Sequence, residues 1–439
     1  MSWFRPQLKY LVNLALPAVL SQLAQMGMGV IDTIMAGRHG RETLATVSIG
    51  SNLFFPILIF VLGIFLSINP MTATAVARKD HLKLARIFKT GLVLSVLFSL
   101  PVWLLIRNLE PLTALLGVNQ AIMDGADSYL EALSWGVFPM LMFLSIRFFN
   151  EGLFSTRAIM VISLTALPVN IFFNYLFLFK LNLGPAGLGY ATAISYSYLF
   201  IALLIFSLKF PEYKLIHEKL KQATFDKLIA KEILTLGLPI GIGITLEVAL
   251  FAGIGLMIAG YGIDVVAGHQ IALNISSMTF MIPMGISIAT TARVGYYYGL
   301  NDLLMATRIG WLATALSAIM MFLSALMMWF LPEVLVGVYT TQNEILQVGA
   351  GLLFYAAIFQ LVDGIQATAL GALRGLHDTK IPMYISAVAY WVIGFPVGYY
   401  LSLDYQASGY WMGIILALFT AALLLTLRFY RLTTKINQI

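Results

Sequence analysis

Long, continuous apolar runs dominate the chain, and few folds can accommodate them. Runs such as FFPILIFVLGIFLSI and LLIFSL recur along 439 residues, of which 60% are hydrophobic and 10% are charged. A soluble domain has no core large enough for so many of them, whereas a membrane-spanning helix needs roughly 20 apolar residues. The runs also lack the period-2 alternation of a membrane β-barrel. The sequence therefore predicts an all-α polytopic membrane protein.

Hydropathy and turn signals divide the chain into predicted membrane spans. The first span is much longer than a secretory h-region and has no small-residue cleavage site before the next polar loop, so we expect it to be retained. The twelve predicted spans lie near residues 10–35, 44–70, 84–106, 127–149, 158–179, 187–208, 234–259, 266–291, 308–331, 346–372, 382–402 and 408–430.

Basic residues are distributed unequally between the two sides of the predicted membrane. If both termini are cytoplasmic, nearly all of the 26 Lys and Arg residues fall on the cytoplasmic side. The positive-inside rule therefore predicts a multi-pass protein with cytoplasmic termini. This bias and anionic inner-leaflet lipid account for the net charge of +6, so we expect contact with membrane lipid and no nucleic-acid partner. The exceptions are Arg38, Arg41, Arg107 and Lys180 on the opposite side and Arg147 within a span.

A long basic stretch at mid-chain separates two halves. We predict an N-terminal six-helix bundle over residues 1–208, a cytoplasmic linker over 209–233 and a C-terminal six-helix bundle over 234–439. A shift of 222 residues brings many polar and small residues of the two halves into register. We interpret this as a duplication of six spans, and because six is even the two bundles are pseudo-symmetric about the membrane normal. The aligned pairs include Pro17 with Pro239, Asn52 with Asn274, Gly63 with Gly285, Arg86 with Arg308 and, after one inserted residue, Gly152 with Gly375.

Three carboxylates, Asp32, Glu247 and Asp363, lie inside the apolar runs. An ionised carboxylate at mid-membrane depth costs about 2.5 to 3.5 kcal/mol on insertion scales, so each predicts a binding site or an ion pathway. The span that holds Glu247 has no basic residue, and this acid must be protonated, bound to a cation or facing water. A permanently protonated structural glutamate is the alternative. The repeat aligns Glu247 with Gln25, so the two halves carry different chemistry.

Polar residues accompany Asp32 on its own span and on the fifth span. Gln22, Gln25 and Asp32 lie on one helical face, which predicts contact with a cavity. A hydrogen-bonded seam between packed helices is the alternative. Asn170 and Asn174 also share a face, and their amide oxygens are suited to coordinating a hard cation or to accepting a hydrogen bond from protonated Asp32. Packing polarity is the competing interpretation for these two.

On the tenth span, Gln360, Asp363 and Arg374 share a face. Arg374 lies eleven residues beyond Asp363, about 16 Å along a helix, which is too far for an ion pair. A salt bridge from Asp363 to Arg147 in another helix is an open alternative. Arg147 also precedes Glu151 by four residues, the spacing of an intrahelical ion pair, and we favour that partner.

The 20 Met and 29 Phe residues are suited to lining an adaptable pocket for flat aromatic cations. Phe251 and Phe359, close in sequence to Glu247 and Asp363, are the candidates, although such residues more often face lipid or core. No GxxxxGK, HExxH or complete GxGxxG motif occurs, and the chain has no Cys, so neither ATP hydrolysis nor a cofactor is expected. An ion gradient is the remaining energy source.

The segments LALPAVLSQLAQMGMGVIDTIMAG, LPIGIGITLEVALF, VAGHQIALNISSMTFMIPMGI and QLVDGIQATALGALRG resemble the multidrug and toxic compound extrusion (MATE) family, in its NorM-like branch. The resemblance extends over essentially the whole chain. It implies two six-helix bundles around a central cleft in a bacterial inner membrane, exporting cationic drugs and dyes in exchange for Na+ or H+. By motif position, it implies that Asp32 is the acid of the N-terminal bundle and that Glu247 and Asp363 hold the cation.

Two positions depart from the family pattern. Asn174 stands where the proton-coupled DinF-like branch has an acid, which favours Na+ as the metal ion at Glu247 and Asp363. Phe359 stands where some NorM-like relatives have Tyr, so a hydroxyl contribution from that position is missing.

Together these features predict a secondary transporter and no enzyme: a cation-coupled multidrug antiporter that works by alternating access and that we expect to be a monomer. In this prediction the coupling ion binds at Glu247 and Asp363 and displaces an organic cation held near Asp32. One alternative is a lipid-linked saccharide flippase of the same superfamily, which would need a strongly cationic central cavity. The other is a membrane-embedded enzyme, which would need a catalytic cluster of side chains.

Overall fold

The computed structural model describes residues 3–109, 120–210 and 213–436, and all regular structure within these ranges is helical. Eleven helices in them are long and apolar enough to cross a membrane, and a bent helix pair brings the number of spans to as many as 12. The prediction of an all-α polytopic membrane protein is therefore confirmed.

Within the described residues, the first half of the chain forms nine α-helices. Asp80 caps α4 by accepting a hydrogen bond from the Lys83 backbone N–H at 2.8 Å. A π-helical segment, Leu176–Lys180, continues α7. The helices are α1 (Phe4–His39), α2 (Arg41–Leu66), α3 (Ile68–Ala77), α4 (His81–Arg107), α5 (Gln120–Ser134), α6 (Val137–Gly152), α7 (Thr156–Tyr175), α8 (Pro185–Lys209) and α9 (Lys214–Leu220).

From residue 227 to residue 436, the second half forms eight α-helices in a similar order. Asp302 caps α12 through the Met305 backbone N–H at 3.0 Å, and a second π-helical segment, Val388–Gly394, joins α15 to α16. The helices are α10 (Lys227–Ile258), α11 (Ile263–Gly299), α12 (Leu303–Phe330), α13 (Pro332–Gly337), α14 (Asn343–Gly375), α15 (Lys380–Ala387), α16 (Phe395–Tyr405) and α17 (Ala407–Ile436).

The internal repeat is visible in the backbone conformation. Among the described residues, the six non-glycine residues with positive φ form three pairs, each offset by 222 to 224 positions. Side chains rarely adopt this left-handed conformation, so its recurrence at matching turns is not accidental. The duplication predicted from sequence is therefore present in the fold. The pairs are Lys79 with Asn301, Phe154 with His377, and Asn182 with Gln406.

The chain forms two compact units. The N unit comprises residues 20–241, and the C unit comprises residues 1–19 and 242–439. Both boundaries fall inside a helix, α1 or α10, two residues after a proline that interrupts its hydrogen-bond ladder, Pro17 or Pro239. The boundaries are also 222 residues apart, which is the offset of the repeat.

The predicted linker, residues 209–233, falls within the N unit where the structure describes it. The Tyr213 hydroxyl donates a hydrogen bond to Asn150 Oδ1 at 2.8 Å. The Lys89 ammonium group donates to the Ala223 carbonyl at 2.9 Å. These contacts attach the polar segment to α4 and α6.

The span predicted at 127–149 is bent. Ser134 ends α5 and Val137 begins α6, and the two helices meet at 50°. A Cβ atom at Gly136, in the break, would lie 2.8 Å from the Ala193 Cα atom of α8. Glycine therefore permits a close approach to α8 at this position, and hydropathy alone does not reveal such a bend.

In the C unit, α11 and α14 form the most extensive helix contact. A Cβ atom at Gly371 would lie 2.5 Å from Ser287 Oγ, so the two backbones approach as closely as glycine allows. The Ser287 hydroxyl donates to the Ala367 carbonyl at 2.6 Å, and the Thr291 hydroxyl donates to the Gly371 carbonyl at 2.9 Å. This seam fixes α14, which carries Asp363, against α11.

Candidate functional site

In the N unit, Asp32 lies at the centre of a hydrogen-bonded group from three helices. Its Oδ1 atom accepts from Asn174 Nδ2 at 2.6 Å and from Asn170 Nδ2 at 3.1 Å. Its Oδ2 atom accepts from the Thr192 hydroxyl at 2.9 Å. The carboxylate is 7% exposed, and both asparagines are fully buried. All three partners are neutral donors, so they orient the carboxylate without cancelling its charge.

Local helix geometry brings these residues together. Asn170 and Asn174 are four residues apart on α7, so their side chains stack on one face, and Asn174 Nδ2 also donates to Asn170 Oδ1 at 3.1 Å. Asn174 Oδ1 has no hydrogen-bond partner among the described residues. A buried amide oxygen beside a carboxylate oxygen is a suitable ligand pair for a hard cation.

Gln25 belongs to a different polar group of the N unit, centred on Arg147. Arg147 Nε donates to Glu151 Oε1 at 2.9 Å, which confirms the predicted intrahelical ion pair. Arg147 also donates to the side-chain oxygens of Gln22 and Gln25. Arg147 and Glu151 are each 2% exposed, so this buried guanidinium is neutralised by its own helix and hydrogen-bonded by α1. Tyr196 of α8 interacts electrostatically with both Arg147 and Asp32.

In the C unit, Glu247 of α10 and Asp363 of α14 interact electrostatically. Asp363 is 5% exposed, and its Oδ1 atom has no hydrogen-bond partner among the described residues. No basic group lies within 4 Å of either carboxylate in the described chain. Two ionised carboxylates side by side repel each other, and a cation bound to them removes that repulsion.

Gln366 and Tyr390 complete this group. Gln366 Nε2 donates to the Tyr390 hydroxyl at 2.6 Å, and both side chains face the Glu247 carboxylate. Gln366 follows Asp363 by three residues, which places both on one face of α14. Gln366 Oε1 has no described partner and is a second open oxygen beside Asp363.

The π-helical segment positions Tyr390 against α10. Trp391, the next residue, donates from its indole nitrogen to the Leu246 carbonyl at 3.1 Å, one residue before Glu247. Inserted π turns redirect side chains relative to a regular α-helix and are frequent at functional sites. The Tyr390 hydroxyl is therefore held at Glu247 by a local irregularity of the helix.

The remaining predicted site residues of the C unit lie elsewhere. The Gln360 amide donates to the Thr279 hydroxyl and contacts Met328 Sδ. Phe359 stacks on Trp411 with ring centroids 5.7 Å apart and meets Phe251 edge-on at 6.5 Å. Trp411 in turn donates to the buried ring of His269 at 3.2 Å, which places that histidine in the aromatic core. The Phe251–Phe359 pair is thus continuous with the packing of α17.

Sequence reasoning missed three polar partners: Thr192 at Asp32, and Gln366 and Tyr390 at Glu247. Thr192 is one of several hydroxyl-bearing residues of α8, and Tyr390 is one of several aromatic residues in its segment, so the sequence does not single out either of them. Gln366, three residues after Asp363, does fit the helical period and was detectable in principle. Within the described residues, no group of three or more His, Cys, Asp or Glu side chains is arranged to hold a metal ion.

The chain is similar to known proteins over almost its full length. The MatE family model matches it twice, at residues 17–176 and 239–400. The chain is 34% identical to the probable multidrug resistance protein NorM of Acinetobacter baylyi, over 99% of its own length and 98% of the relative's. The double match agrees with the internal repeat.

Solved structures share the fold at lower identity. The eukaryotic MATE transporter AtDTX14 aligns with a TM-score of 0.89 at 19% identity, covering 99% of both chains. A MOP superfamily transporter from Pyrococcus furiosus, in which reverse polarity of the binding pocket suggests a different function, aligns with a TM-score of 0.90 at 18% identity. That alignment covers 98% of this chain and 97% of the archaeal one. These structural similarities establish the fold. The function has to be argued from the polar residues of the two sites.

Proposed function

The chain belongs to the MatE family, and from this premise we propose that it is a multidrug efflux antiporter that exports organic cations in exchange for Na+ or H+. As a member of a transporter family it is not an enzyme. The NorM relative is described as a probable multidrug resistance protein, which supports drugs as the exported class. We place the protein in a bacterial inner membrane with both termini in the cytoplasm.

One observation carries the assignment of the coupling ion. The half-buried Glu247 and the buried Asp363 form a carboxylate pair with an open Asp363 oxygen, and no described basic group lies within 4 Å of either carboxylate. Such a pair is electrostatically unfavourable until it takes up positive charge. Two carboxylates and an amide oxygen from Gln366 are hard oxygen ligands of the kind that Na+ prefers, and a proton at one carboxylate serves equally well to remove the repulsion.

Asp32 suits the organic cation better. It already accepts three hydrogen bonds from neutral donors and keeps its negative charge, so it can attract a permanently charged drug that offers few donors of its own. Contact between the aromatic surface of such a drug and the Met and Phe side chains of the helices stabilises the bound drug.

Transport then follows from competition between ion and drug. The ion that enters from outside binds at Glu247 and Asp363 and favours the conformation in which the drug held near Asp32 is released. The drug that enters from the cytoplasm favours the opposite conformation. Each ligand must bind the two conformations with different affinity, because a ligand with equal affinity for both shifts nothing.

The test is ethidium efflux from proteoliposomes under separately imposed Na+ and H+ gradients. We expect efflux under one of the gradients for the natural protein and none for Glu247→Gln. Glu344→Gln, the same change at an exposed acid at the start of α14, is the matched control and should export normally. Gradient-driven export by Glu247→Gln would overturn the assignment of the coupling site. No transport by the natural protein under either gradient would favour the flippase alternative.

A further inference from the structure

In the N unit, α3 and α6 meet at a tight seam that contains buried polar side chains. A Cβ atom at Gly152 of α6 would lie 2.5 Å from the Asn69 carbonyl oxygen and 2.6 Å from Thr72 Cβ. Asn69 and Thr72 are three residues apart on α3, so they share the helical face that meets α6. Both are fully buried, and Glu151, the residue before Gly152, is 2% exposed. Three polar side chains are therefore enclosed at one helix contact.

Four polar atoms at this seam have no hydrogen-bond partner among the described residues. They are Nδ2 and Oδ1 of Asn69, Oγ1 of Thr72 and Oε2 of Glu151. The Asn69 side chain faces the Glu151 carboxylate, but no atom of the Asn69 amide is in hydrogen-bonding geometry with it. Buried polar atoms without a partner are costly and rare in folded proteins. Four of them at one helix contact indicate a site for a ligand.

The corresponding seam of the C unit, between α11 and α14, is built differently. The backbones are similarly close, because a Cβ atom at Gly375 would lie 3.0 Å from the Thr291 carbonyl oxygen and 2.7 Å from Val294 Cβ. However, the Thr291 hydroxyl donates to the Gly371 carbonyl at 2.9 Å, and Val294 is apolar. The duplicated fold therefore does not require open polar atoms at this contact. The internal repeat pairs Asn69 with Thr291, Thr72 with Val294, and Gly152 with Gly375.

The open atoms of the N unit indicate the chemistry of the ligand. Asn69 Nδ2 donates hydrogen bonds, Asn69 Oδ1 and Glu151 Oε2 accept them, and the Thr72 hydroxyl does both. A metal ion binds oxygen atoms and would leave the amide nitrogen without a partner. Arg147 Nε already lies 2.9 Å from Glu151 Oε1, so a cation would add net positive charge to a buried group. The ligand is therefore small, neutral and able both to donate and to accept, as water is.

We propose that Asn69, Thr72 and Glu151 form an internal water site that bridges α3 and α6. Buried waters typically make about three hydrogen bonds to polar groups that lack other partners, and three such side chains meet here. The water satisfies the second oxygen of Glu151, while the first accepts from Arg147, which also donates to two glutamines of α1. The water thus connects α3 to the buried ion pair and, through it, to α1. This inference goes beyond the proposed function, because it involves neither carboxylate site.

The direct test is a crystal structure of the full-length natural protein at a resolution that shows ordered water elsewhere in the chain. We expect a solvent peak within hydrogen-bonding distance of Asn69, Thr72 and Glu151. Crystals soaked in Tl+, a heavy substitute for monovalent cations, should give no anomalous signal at that peak. A seam without a peak, or a Tl+ signal at the peak, would overturn the proposal.

The melting temperature of the purified protein gives an independent measurement. Thr72→Val introduces the residue of the C unit and removes the hydroxyl with little change of shape. Loss of a water-binding hydroxyl should lower the melting temperature by about 2 to 4 °C, whereas loss of a hydroxyl that binds nothing should raise it or leave it unchanged. Thr290→Val is the matched control and should melt like the natural protein, because this fully buried hydroxyl donates to the Ile286 carbonyl of its own helix.

A second variant, Asn69→Leu, makes the same distinction with a larger change. Leucine has nearly the shape of asparagine and lacks both open amide atoms, so it stabilises a seam without water and destabilises a seam that binds water. We expect a lower melting temperature. In combination with Thr72→Val the decrease should be smaller than the sum of the two single decreases, because both variants disturb the same water.

Thr72→Ser keeps the hydroxyl and should retain the water peak. An unchanged or higher melting temperature in both Thr72→Val and Asn69→Leu would contradict a bound water. If neither variant folds, the density of the natural protein decides the question alone.

Discussion

Asp32 in the N unit and the pair formed by Glu247 and Asp363 in the C unit are both carboxylate sites within apolar helices, but their surroundings differ. Asp32 accepts three hydrogen bonds, at 2.6, 2.9 and 3.1 Å, from neutral side chains of α7 and α8. Asp363 has an oxygen without a described partner and a second carboxylate beside it. Asp32 thus accepts three hydrogen bonds and lacks a counter-charge, whereas the pair in the C unit has an Asp363 oxygen that accepts no described hydrogen bond.

This difference indicates which ligand each site is suited to. A small ion forms strong bonds to oxygen ligands, so it is suited to a site with oxygen atoms that accept no hydrogen bond. A large organic cation has charge and apolar surface but few hydrogen-bond donors, so it is suited to a carboxylate that already accepts several hydrogen bonds. In the proposed function, the two halves of the duplicated chain therefore have distinct roles that depend on a few polar residues.

The largest effect is expected for Asp363→Asn, which removes half of the carboxylate pair. Gradient-driven ethidium efflux from proteoliposomes should fall by about 100-fold, near the upper range of typical coupling energies, while equilibrium ethidium binding stays within about twofold. Asp264→Asn, at an exposed acid in the first turn of α11, is the control. An equal loss of ethidium binding would remove the distinction between the two sites.

Asn174→Leu should have the opposite selectivity. It removes the shortest hydrogen bond to Asp32 and leaves a buried charge with fewer donors, a loss of about 1.5 to 3 kcal/mol for a charge-assisted bond. Ethidium binding by the purified protein should weaken about tenfold to hundredfold, with ion affinity unchanged. A weaker affinity for the ion, measured by isothermal titration calorimetry, would show that Asn174 serves the ion site instead.

Tyr390→Phe removes a hydroxyl that faces Glu247 and accepts from Gln366. The affinity of the pair for its ion should fall about fivefold to tenfold, the equivalent of one hydrogen bond worth about 1 kcal/mol. Tyr384→Phe, at an exposed ring on α15, is the matched control. If Tyr390→Phe lowers the melting temperature but leaves the ion affinity unchanged, Tyr390 contributes only to packing.

The smallest effect is expected for Thr192→Val. It preserves the side-chain shape and removes one of the three donors to Asp32, so ethidium binding should weaken by a factor of about five. Thr33→Val is the matched control, because the Thr33 hydroxyl bonds to the Gly29 carbonyl on the exposed side of α1. An effect as large as that of Asn174→Leu would mean that the donors act as one unit and do not contribute separately.

Sequence alone predicted the features that recur along the chain. Twelve spans follow from apolar length, and the offset between Pro17 and Pro239 anticipated the repeat that the backbone shows at Lys79 and Asn301. These features depend on the residue types along the chain, and they can therefore be read from the sequence. The bend at Gly136 depends on close packing against Ala193 of α8, and a hydropathy profile does not show such a contact.

The candidate sites were predictable only in part. Asp32 with Asn170 and Asn174 could be found because buried polar residues in spans are costly and must meet one another. Gln25 shares a helical face with Asp32, but α1 carries it to Arg147, about 10 Å farther along the helix. A helical face does not specify which neighbour it meets.

The coupling between the two sites is tested most directly by ethidium binding to purified protein during titration with the ion that drives efflux. For the natural protein, rising ion concentration should weaken ethidium binding, and by linkage ethidium should weaken ion binding by the same factor. For Glu247→Gln, ethidium should still bind and should no longer respond to the ion. The same ion-dependent loss of ethidium in both proteins would contradict the assignment of the coupling ion to Glu247 and Asp363.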